Sequence, residues 1–273
     1  MDNFSALLKA GILGIIEGIT EFLPISSTGH LIIAEKFIQL SQNSSFVASF
    51  EVIIQLGAVL SIVVLFWNKL FPFKQGAQHY EKTLNLWFLV IIGVIPAAVI
   101  GFLLDDFIEE KLFTPLVVAG ALVFYGIILI FIEKTNKMQI KITDVSEIPV
   151  IFAVAIGFFQ CLAMVPGTSR SAATIIGGLL LGLSRVAAAQ FSFFLAIPTM
   201  CGASLLKILK NGLSFSSFEI TLIAVGFVVS FISAFAVVKF LMNYISKNNF
   251  VIFGYYRIFL GVIIGILSLF FSF

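Results

Sequence analysis

The sequence predicts an all-α integral membrane protein with six transmembrane helices and two re-entrant helical hairpins. First, 60% of the 273 residues are hydrophobic and only 11% are charged, whereas soluble domains contain about 25% charged residues. Second, six apolar runs approach the roughly 20 residues that span a bilayer. Third, two further apolar stretches are each interrupted halfway by a short polar segment. This composition places the chain in the membrane class.

The six apolar runs are the predicted transmembrane helices. They cover Phe46 to Trp67, Leu84 to Leu104, Leu116 to Ile132, Val186 to Leu206, Phe218 to Val238 and Phe250 to Phe271.

The two interrupted stretches are residues 4–40 and 149–182. The first is broken by Pro24 to His30 and the second by Pro166 to Ser171. Irregular backbone at membrane depth must be buried in protein or line a water-filled cavity. The piece after each break spans only about 18 to 22 Å, short of the roughly 30 Å hydrocarbon core. Each stretch is therefore predicted to be a re-entrant hairpin.

Loop charges orient the chain, because cytoplasmic loops carry an excess of Lys and Arg. With two hairpins, the cations divide nine against four: Lys69, Lys74, Lys82, Lys134, Lys137, Lys141, Arg185, Lys239 and Lys247 against Lys36, Lys111, Lys207 and Lys210. If the first arms crossed fully, the division would be five against eight. The hairpin arrangement is favoured, with both termini and the entrance of the first hairpin facing outward.

Each half of the chain then makes three crossings, in opposite senses. Residues 1–133 and 134–273 are therefore predicted to be half-repeats of inverted topology within one integral domain. Gly14 to Glu21 aligns with Gly157 to Met164, and a proline follows each segment. In the same alignment, Ser26-Ser27 matches Thr168-Ser169.

Glu17 and Glu21 are the first candidate site residues. They are four apart, hence on one helix face, in an otherwise apolar run. A carboxylate at the bilayer centre costs at least about 2.5 to 3.5 kcal/mol, which favours a functional role. Mg²⁺ takes one or two carboxylates and completes its shell with water and substrate phosphates. The pair is a candidate metal site for Mg²⁺ or Ca²⁺, and a hydrogen-bonded structural pair is the alternative.

The first polar break offers an anion site and a candidate nucleophile. Ser26, Ser27 and Thr28 are suitable N-cap residues, and helix N-termini bind phosphate through free N–H groups. His30 lies three residues after Ser27, so its imidazole could reach that hydroxyl as a base. Ordinary capping, and a histidine that only packs, are the alternatives.

The second break carries Thr168, Ser169, Arg170 and Ser171. The hydroxyl residues can cap a helix and bind phosphate, and a guanidinium can hold phosphate through two parallel hydrogen bonds. If the hairpins meet tip to tip, two helix N-termini and Arg170 converge beside the Glu17 and Glu21 carboxylates. Alternatively, Arg170 is a purely structural partner of one glutamate.

At these residues the sequence resembles the undecaprenyl-diphosphatase family, also known for bacitracin resistance. The resemblance rests on Glu17-Gly-Ile-Thr-Glu-Phe-Leu-Pro-Ile-Ser-Ser-Thr-Gly-His30 and Pro166-Gly-Thr-Ser-Arg-Ser171, and it extends over essentially the whole chain. One departure is Ala172, where the family pattern usually has Gly.

The resemblance implies hydrolysis of undecaprenyl diphosphate to the monophosphate on the outer face of a bacterial plasma membrane. That reaction recycles the carrier lipid for peptidoglycan synthesis, and hence for cell wall and cell shape, and gives bacitracin resistance. It also implies that Glu17, Glu21, Ser27, His30 and Arg170 form the site. A homodimer is an open possibility.

A transporter of polyprenyl phosphate or another anion is the competing function, because inverted repeats with broken helices also build transporters. Hydrolysis needs a nucleophile or general base, which a carrier does not. Ser27 and His30 therefore favour the enzyme. Nucleic-acid partners are not expected, because the net charge is only +2 and no basic run is present.

Overall fold

The computed structural model describes residues 3–73, 77–135, 140–211 and 215–270. In these ranges the chain forms helices and no named β-strand. The described helices are α1 Asn3–Thr20, α2 Ser27–Phe37, α3 Ser44–Leu65, α4 Trp67–Leu70, α5 Ala77–Lys111, α6 Pro115–Thr135, α7 Val150–Cys161, α8 Arg170–Leu180, α9 Arg185–Asn211, α10 Ser217–Ile245 and α11 Val251–Phe270. Two short 3₁₀ turns, Val145–Glu147 and Leu162–Met164, flank α7.

Seven of the described helices are long and apolar enough to cross a membrane: α1, α3, α5, α6, α9, α10 and α11. The last six correspond to the six predicted transmembrane helices, so the all-α integral membrane class is confirmed. The shortest of the seven is α1, with 18 residues, and it is the first arm of the first predicted hairpin. The predicted helix that included Trp67 ends two residues earlier, at Leu65, because Phe66 leaves helical geometry and Trp67 begins α4.

Both predicted polar breaks are present. The first separates α1 from α2, and the second separates the 3₁₀ turn Leu162–Met164 from α8. The helices that follow, α2 and α8, have 11 residues each and so extend about 17 Å at 1.5 Å per residue. Neither can cross a hydrocarbon core of about 30 Å, which is what the interpretation as hairpins requires.

Both breaks end in the same unusual backbone conformation. Ser26 and Ser169 have φ of 73° and 70°, and they are the positive-φ residues other than glycine in the described chain. Each is an N-cap whose hydroxyl accepts a hydrogen bond, from Gly29 N for Ser26 and from Ala172 N for Ser169. The predicted match of Ser26-Ser27 with Thr168-Ser169 was therefore wrong by one residue, because the capping role pairs Ser26 with Ser169.

Helix contacts in one half of the chain have counterparts in the other. The first hairpin packs through α1 against α10, and the second packs through α7 against α5. Likewise, the contact of α10 with α3 in one half corresponds to that of α5 with α9 in the other. The contacts of α3 with α9 and of α6 with α11 each join two corresponding helices. At both hairpin contacts a glycine allows close approach: a Cβ on Gly14 would lie 2.5 Å from Gly226 O, and one on Gly157 would meet Gly93 O. This pattern supports the interpretation of two half-repeats.

Polar contacts join several loops at one end of the bundle, which we call the basic end. Glu133 at the end of α6 accepts from Arg185 Nε at 2.9 Å and Nη2 at 2.7 Å, and from Phe250 N at 3.0 Å. Lys82 donates to Asp144 at 3.1 Å in the segment between the halves. Cations predicted for one membrane side thus lie on neighbouring elements. Lys74 and Lys137 of that prediction are outside the described residues.

Candidate functional site

The tips of the two hairpins meet at an ion pair. Arg170 Nη2, at the start of α8, donates to Glu21 Oε1 at 3.0 Å, and both side chains are largely buried, with 12% and 6% exposed. A second contact joins the tips, because Ser171 Oγ donates to Leu23 O at 3.0 Å. The predicted convergence of the two breaks is therefore present.

Arg170 is held on several sides. Its Nη1 donates to Ser192 O on α9 at 2.7 Å, and its guanidinium carbon lies 5.6 Å from the centre of the Phe22 ring. Thr174 Oγ1 donates to Ser192 Oγ at 2.7 Å, which fixes that part of α9 beside α8. Arg170 Nε is buried without a hydrogen-bond partner. The guanidinium is therefore fixed in place with one donor free for a ligand.

Ser27 and His30 lie in the same turn but hydrogen-bond elsewhere. Ser27 Oγ donates to Glu21 Oε2 at 2.9 Å. His30 Nδ1 lies 2.7 Å from Ser26 O, and its Nε2 lies 2.7 Å from Tyr256 OH. A carbonyl can only accept, so Nδ1 carries a hydrogen, and in the neutral imidazole Nε2 accepts from the tyrosine. The described geometry gives Ser27 a carboxylate as its proton acceptor, in place of the expected imidazole.

Glu17 lies beside Glu21, and no donor of the described chain binds its carboxylate. It is fully buried on α1, one turn before Glu21, and neither of its carboxylate oxygens has a hydrogen-bond partner. A buried carboxylate without partners is unfavourable in a low-dielectric interior. Either a proton or a bound cation would relieve this cost.

The remaining predicted phosphate ligands line the two tips. Ser26 and Ser169 serve as caps, and Ser169 Oγ lies 3.0 Å from Ser171 Oγ. Thr168 is buried and Thr28 is partly exposed. The first N–H groups of a helix have no partner within the helix. The starts of α2 and α8 therefore offer free donors where the tips meet.

Arg257 on α11 is a central residue that the sequence arguments missed. Its side chain is fully buried. Nη1 donates to Pro24 O at 3.2 Å, and Nη2 donates to Gly167 O at 2.9 Å and to Thr168 O at 2.8 Å. One guanidinium thus satisfies three carbonyls from both breaks. It forms no ion pair in the described part of the chain, so its positive charge also adds to the potential at the tips.

A signal for Arg257 was present in the sequence. An arginine within an apolar helix marks a functional or buried polar site, and Tyr256 directly precedes this one. Arg257 lies inside a predicted transmembrane helix, so it is not one of the loop cations that orient the chain. Together the two residues place α11 behind both tips.

A family model and full-length relatives match this sequence along nearly the whole chain. The family model described as "Bacitracin resistance protein BacA" matches residues 10–263. "Undecaprenyl-diphosphatase 1" of Clostridioides difficile (strain 630) is 52% identical over 268 residues, which are 97% of each chain. "Undecaprenyl-diphosphatase" of Enterococcus faecalis is 49% identical over 271 residues, covering 97% of this chain and 98% of that protein. The segment matched by the family model contains every site residue described above.

We expect Arg257→Met to destabilise the protein, because three buried carbonyls lose their donors. The apparent melting temperature of purified protein in detergent should fall by about 6 to 12 °C. The melting temperature of Arg257→Lys should lie between those of Arg257→Met and the parent protein, since one ammonium cannot reproduce the planar fork of the guanidinium. Lys239→Met, which removes an exposed cation from α10, is the control and should melt like the parent. An unchanged melting temperature for Arg257→Met would show that the breaks are held by other contacts.

Proposed function

This chain belongs to the bacitracin resistance protein BacA family, and we propose from that premise that it is an undecaprenyl-diphosphatase. It would release the terminal phosphate of undecaprenyl diphosphate at the junction of the two hairpin tips. The observation that carries the proposal is the joining of Arg170, Glu21 and Ser27 in one hydrogen-bonded set. A carrier needs an anion-binding arginine, but it has no need for a hydroxyl held against a carboxylate.

The diphosphate would lie between the starts of α2 and α8. The free N–H groups of both helix ends and the guanidinium of Arg170 would hold its phosphate oxygens. Arg170 Nε, buried without a partner, is a donor that a bound phosphate can occupy. These groups are fixed before the substrate arrives, so they also stabilise charge that develops in the transition state.

Ser27 is the proposed nucleophile. Its Oγ forms a bond to the terminal phosphorus while the bond from that phosphorus to the bridging oxygen breaks, so undecaprenyl phosphate leaves. The hydroxyl proton passes to Glu21 Oε2, which already accepts it at 2.9 Å. Water then cleaves the phosphoserine and releases phosphate. The expectation that His30 is the base requires the imidazole to leave Tyr256 and turn toward Ser27.

Glu17 and Glu21 are the proposed ligands of a divalent cation, Mg²⁺ or Ca²⁺. Glu17 fits this role, because both of its buried oxygens lack hydrogen-bond donors. Glu21 would share with the cation an oxygen that now accepts from Arg170 or Ser27. In the described residues no group of three or more His, Cys, Asp and Glu side chains is arranged for a metal, so a cation here would need substrate phosphates and water to complete its shell. That is how Mg²⁺ is usually held. Such a cation would neutralise phosphate charge during the displacement.

The site is proposed to open to the outer side of a bacterial plasma membrane, with the basic end in the cytoplasm and the halves inverted. Positive loops favour the cytoplasmic side, and the cations Lys69, Lys82, Lys134 and Arg185 lie on elements at the basic end. A homodimer stays a prediction.

Purified protein should release phosphate from undecaprenyl diphosphate, and Ser27→Ala should lower the turnover by about a thousandfold or more. Ser61→Ala, a buried serine on α3, is the control and should remain within about twofold, as expected for a site apart from the chemistry. If Ser27→Ala keeps substantial turnover, the serine is only a phosphate ligand.

The double variant Ser27→Ala/His30→Gln distinguishes the two candidate bases. Groups that act as a unit are non-additive. Because no hydrogen bond joins Ser27 and His30, we expect the double variant to be slower than Ser27→Ala alone. A double variant no slower than Ser27→Ala would restore His30 as the base.

For the cation, phosphate release should stop in excess chelator and return with Mg²⁺ or Ca²⁺. A second readout is Mn²⁺ binding, followed by electron paramagnetic resonance with a non-hydrolysable prenyl diphosphate analogue bound. Glu17→Gln should weaken Mn²⁺ binding by about tenfold or more, as for the loss of a direct ligand. Glu35 is an exposed acid on α2, and Glu35→Gln should leave Mn²⁺ binding unchanged. Full activity in chelator would remove the metal from the mechanism.

Sidedness can be tested with single cysteines in a Cys161→Ala/Cys201→Ala background. In intact cells an impermeant maleimide should label Gln42→Cys, in the connection from α2 to α3. Asn248→Cys, at the basic end, should react only after the membrane is opened. The reverse labelling pattern would invert the proposed orientation.

A further inference from the structure

Tyr256 of α11 and His30 of α2 form a hydrogen-bonded pair beside the tip of the first hairpin. The Tyr256 hydroxyl lies 2.7 Å from His30 Nε2. The two rings are nearly parallel, with their planes 6° apart and their centres 5.5 Å apart. His30 Nδ1 is engaged as well, because it lies 2.7 Å from Ser26 O. The orientation of the imidazole is therefore fixed by α11 as well as by the start of its own helix.

The pair can be reached from the surface of the protein, unlike other polar groups of the site. Tyr256 is 41% exposed and His30 is partly exposed, whereas Glu17 and Arg257 are fully buried. The preceding residue of α11, Tyr255, does not belong to the site, because its hydroxyl accepts from Lys134 Nζ at 3.1 Å. Two adjacent tyrosines thus have different surroundings, and only the second contacts a candidate site residue in the described chain.

The proposed displacement leaves one proton without an acceptor. Ser27 Oγ gives its proton to Glu21 Oε2 when the phosphoserine forms. When water cleaves the phosphoserine, the leaving Ser27 oxygen takes that proton back, so Glu21 acts as the acid of the second step. A group that donates a proton in a step cannot also be the base of that step. The attacking water therefore needs a second base.

The direction of attack constrains where this base lies. The attacking and leaving oxygens of a phosphoryl transfer are roughly in line, so water approaches the phosphorus from the side opposite Ser27 Oγ. A base for the water must therefore lie across the phosphoryl group from Ser27, and not in contact with it. His30 meets this condition, because the described contacts join Ser27 to Glu21 and join His30 to Tyr256.

We propose that Tyr256 is a catalytic residue of the second step, which passes the proton of the attacking water to His30. The inference rests on the proposed function and adds to it a base for hydrolysis of the phosphoserine. The water oxygen forms a bond to phosphorus, its proton moves to the Tyr256 oxygen, and the Tyr256 hydroxyl proton moves to His30 Nε2. The bond between phosphorus and Ser27 Oγ breaks, and phosphate leaves. The imidazolium then returns one proton to water through Tyr256.

Ser26 prepares the imidazole for this transfer. Its carbonyl oxygen keeps a hydrogen on His30 Nδ1, so Nε2 is the nitrogen that can accept a proton. Once Nε2 is protonated, the same hydrogen bond has a charged donor and becomes stronger. One backbone carbonyl thus selects the accepting nitrogen and stabilises the imidazolium.

Tyr256→Phe tests the proposal, because it removes the hydroxyl and keeps the ring. Phosphoserine should form as before but be cleaved slowly, so steady-state phosphate release should fall by about a hundredfold, as for the loss of a proton-transfer group. With substrate radiolabelled in its terminal phosphate, rapid acid quenching should show a burst of undecaprenyl phosphate and label bound covalently to the protein.

Tyr255→Phe is the matched control, since it removes the neighbouring hydroxyl on the same helix. Its turnover should stay within about twofold of the parent protein, as for a residue apart from the chemistry, and it should hold no more covalent label than the parent. Parental turnover in Tyr256→Phe, or slow turnover without covalent label, would overturn the proposal. A metal-bound water or another base would then cleave the phosphoserine.

A second measurement tests the pair without turnover. The chain has two histidines, His30 and His79, so His79→Gln leaves a single imidazole for NMR of ¹⁵N-labelled histidine. In this background Nδ1 should carry hydrogen and Nε2 should not. Adding Tyr256→Phe should move the Nε2 resonance, whereas adding Tyr255→Phe should not. An Nε2 resonance that is unchanged by Tyr256→Phe would show that the tyrosine does not hold the imidazole, and the relay would fall.

The measurements separate this inference from the proposed function. If the parent protein releases phosphate but Tyr256→Phe accumulates no phosphoserine, the relay is wrong and the enzyme stands. If Ser27→Ala keeps substantial turnover, no phosphoserine is needed, and the relay is wrong even though the protein is a phosphatase. If the parent protein releases no phosphate, the proposed function itself is wrong, and the relay is wrong with it.

Discussion

The hydrogen bonds that Arg257 donates to Pro24, Gly167 and Thr168 are the interaction on which the rest of the site depends. Interrupting a helix at membrane depth frees backbone groups that cannot be left unpaired in hydrocarbon. Here the two interruptions share one buried guanidinium, so their positions are linked. Because both tips are tied to α11, Arg170 on one tip can meet Glu21 on the other at 3.0 Å.

Much of the fold follows from properties that sequence carries directly. Apolar runs of about 20 residues are long enough to indicate membrane crossings, and the six predicted helices are present. The positions of the breaks also followed, since Pro24 and Pro166 are each followed by residues that favour the start of a new helix, Ser26 to Thr28 and Thr168 to Ser169. The capping role of Ser26 followed from its chemistry. The one-residue shift between repeats did not, because Ser26 and Ser169 are recognised as equivalent only by their shared positive φ.

The site was predictable as a set of residues but not as a set of contacts. Glu17, Glu21, Ser27 and Arg170 stand out as polar groups in apolar surroundings, and the structure brings them to one place. Helical spacing allowed Ser27 to reach His30, whereas the observed bond to Glu21 crosses the break between α1 and α2 and follows from no helical spacing. The choice depends on Tyr256, which is 226 residues from His30 in sequence and holds Nε2 at 2.7 Å. Long-range partners of this kind leave no local pattern.

The two halves differ where the chemistry requires them to differ. In the alignment that pairs Ser26 with Ser169, Glu17 corresponds to Gln160 and Glu21 to Met164, so only the first hairpin supplies carboxylates. Arg170 takes the place that corresponds to Ser27, so the proposed nucleophile and the arginine come from opposite halves.

This asymmetry bears on how a repeated fold can host a directional reaction. A site on the axis between identical halves would accept a diphosphate equally in either orientation, with the lipid on either side. With the carboxylates and Ser27 on one tip and Arg170 on the other, the two orientations of a diphosphate are not equivalent. The two hairpins supply convergent helix ends, and in the proposed mechanism the difference between their side chains places the terminal phosphate against Ser27.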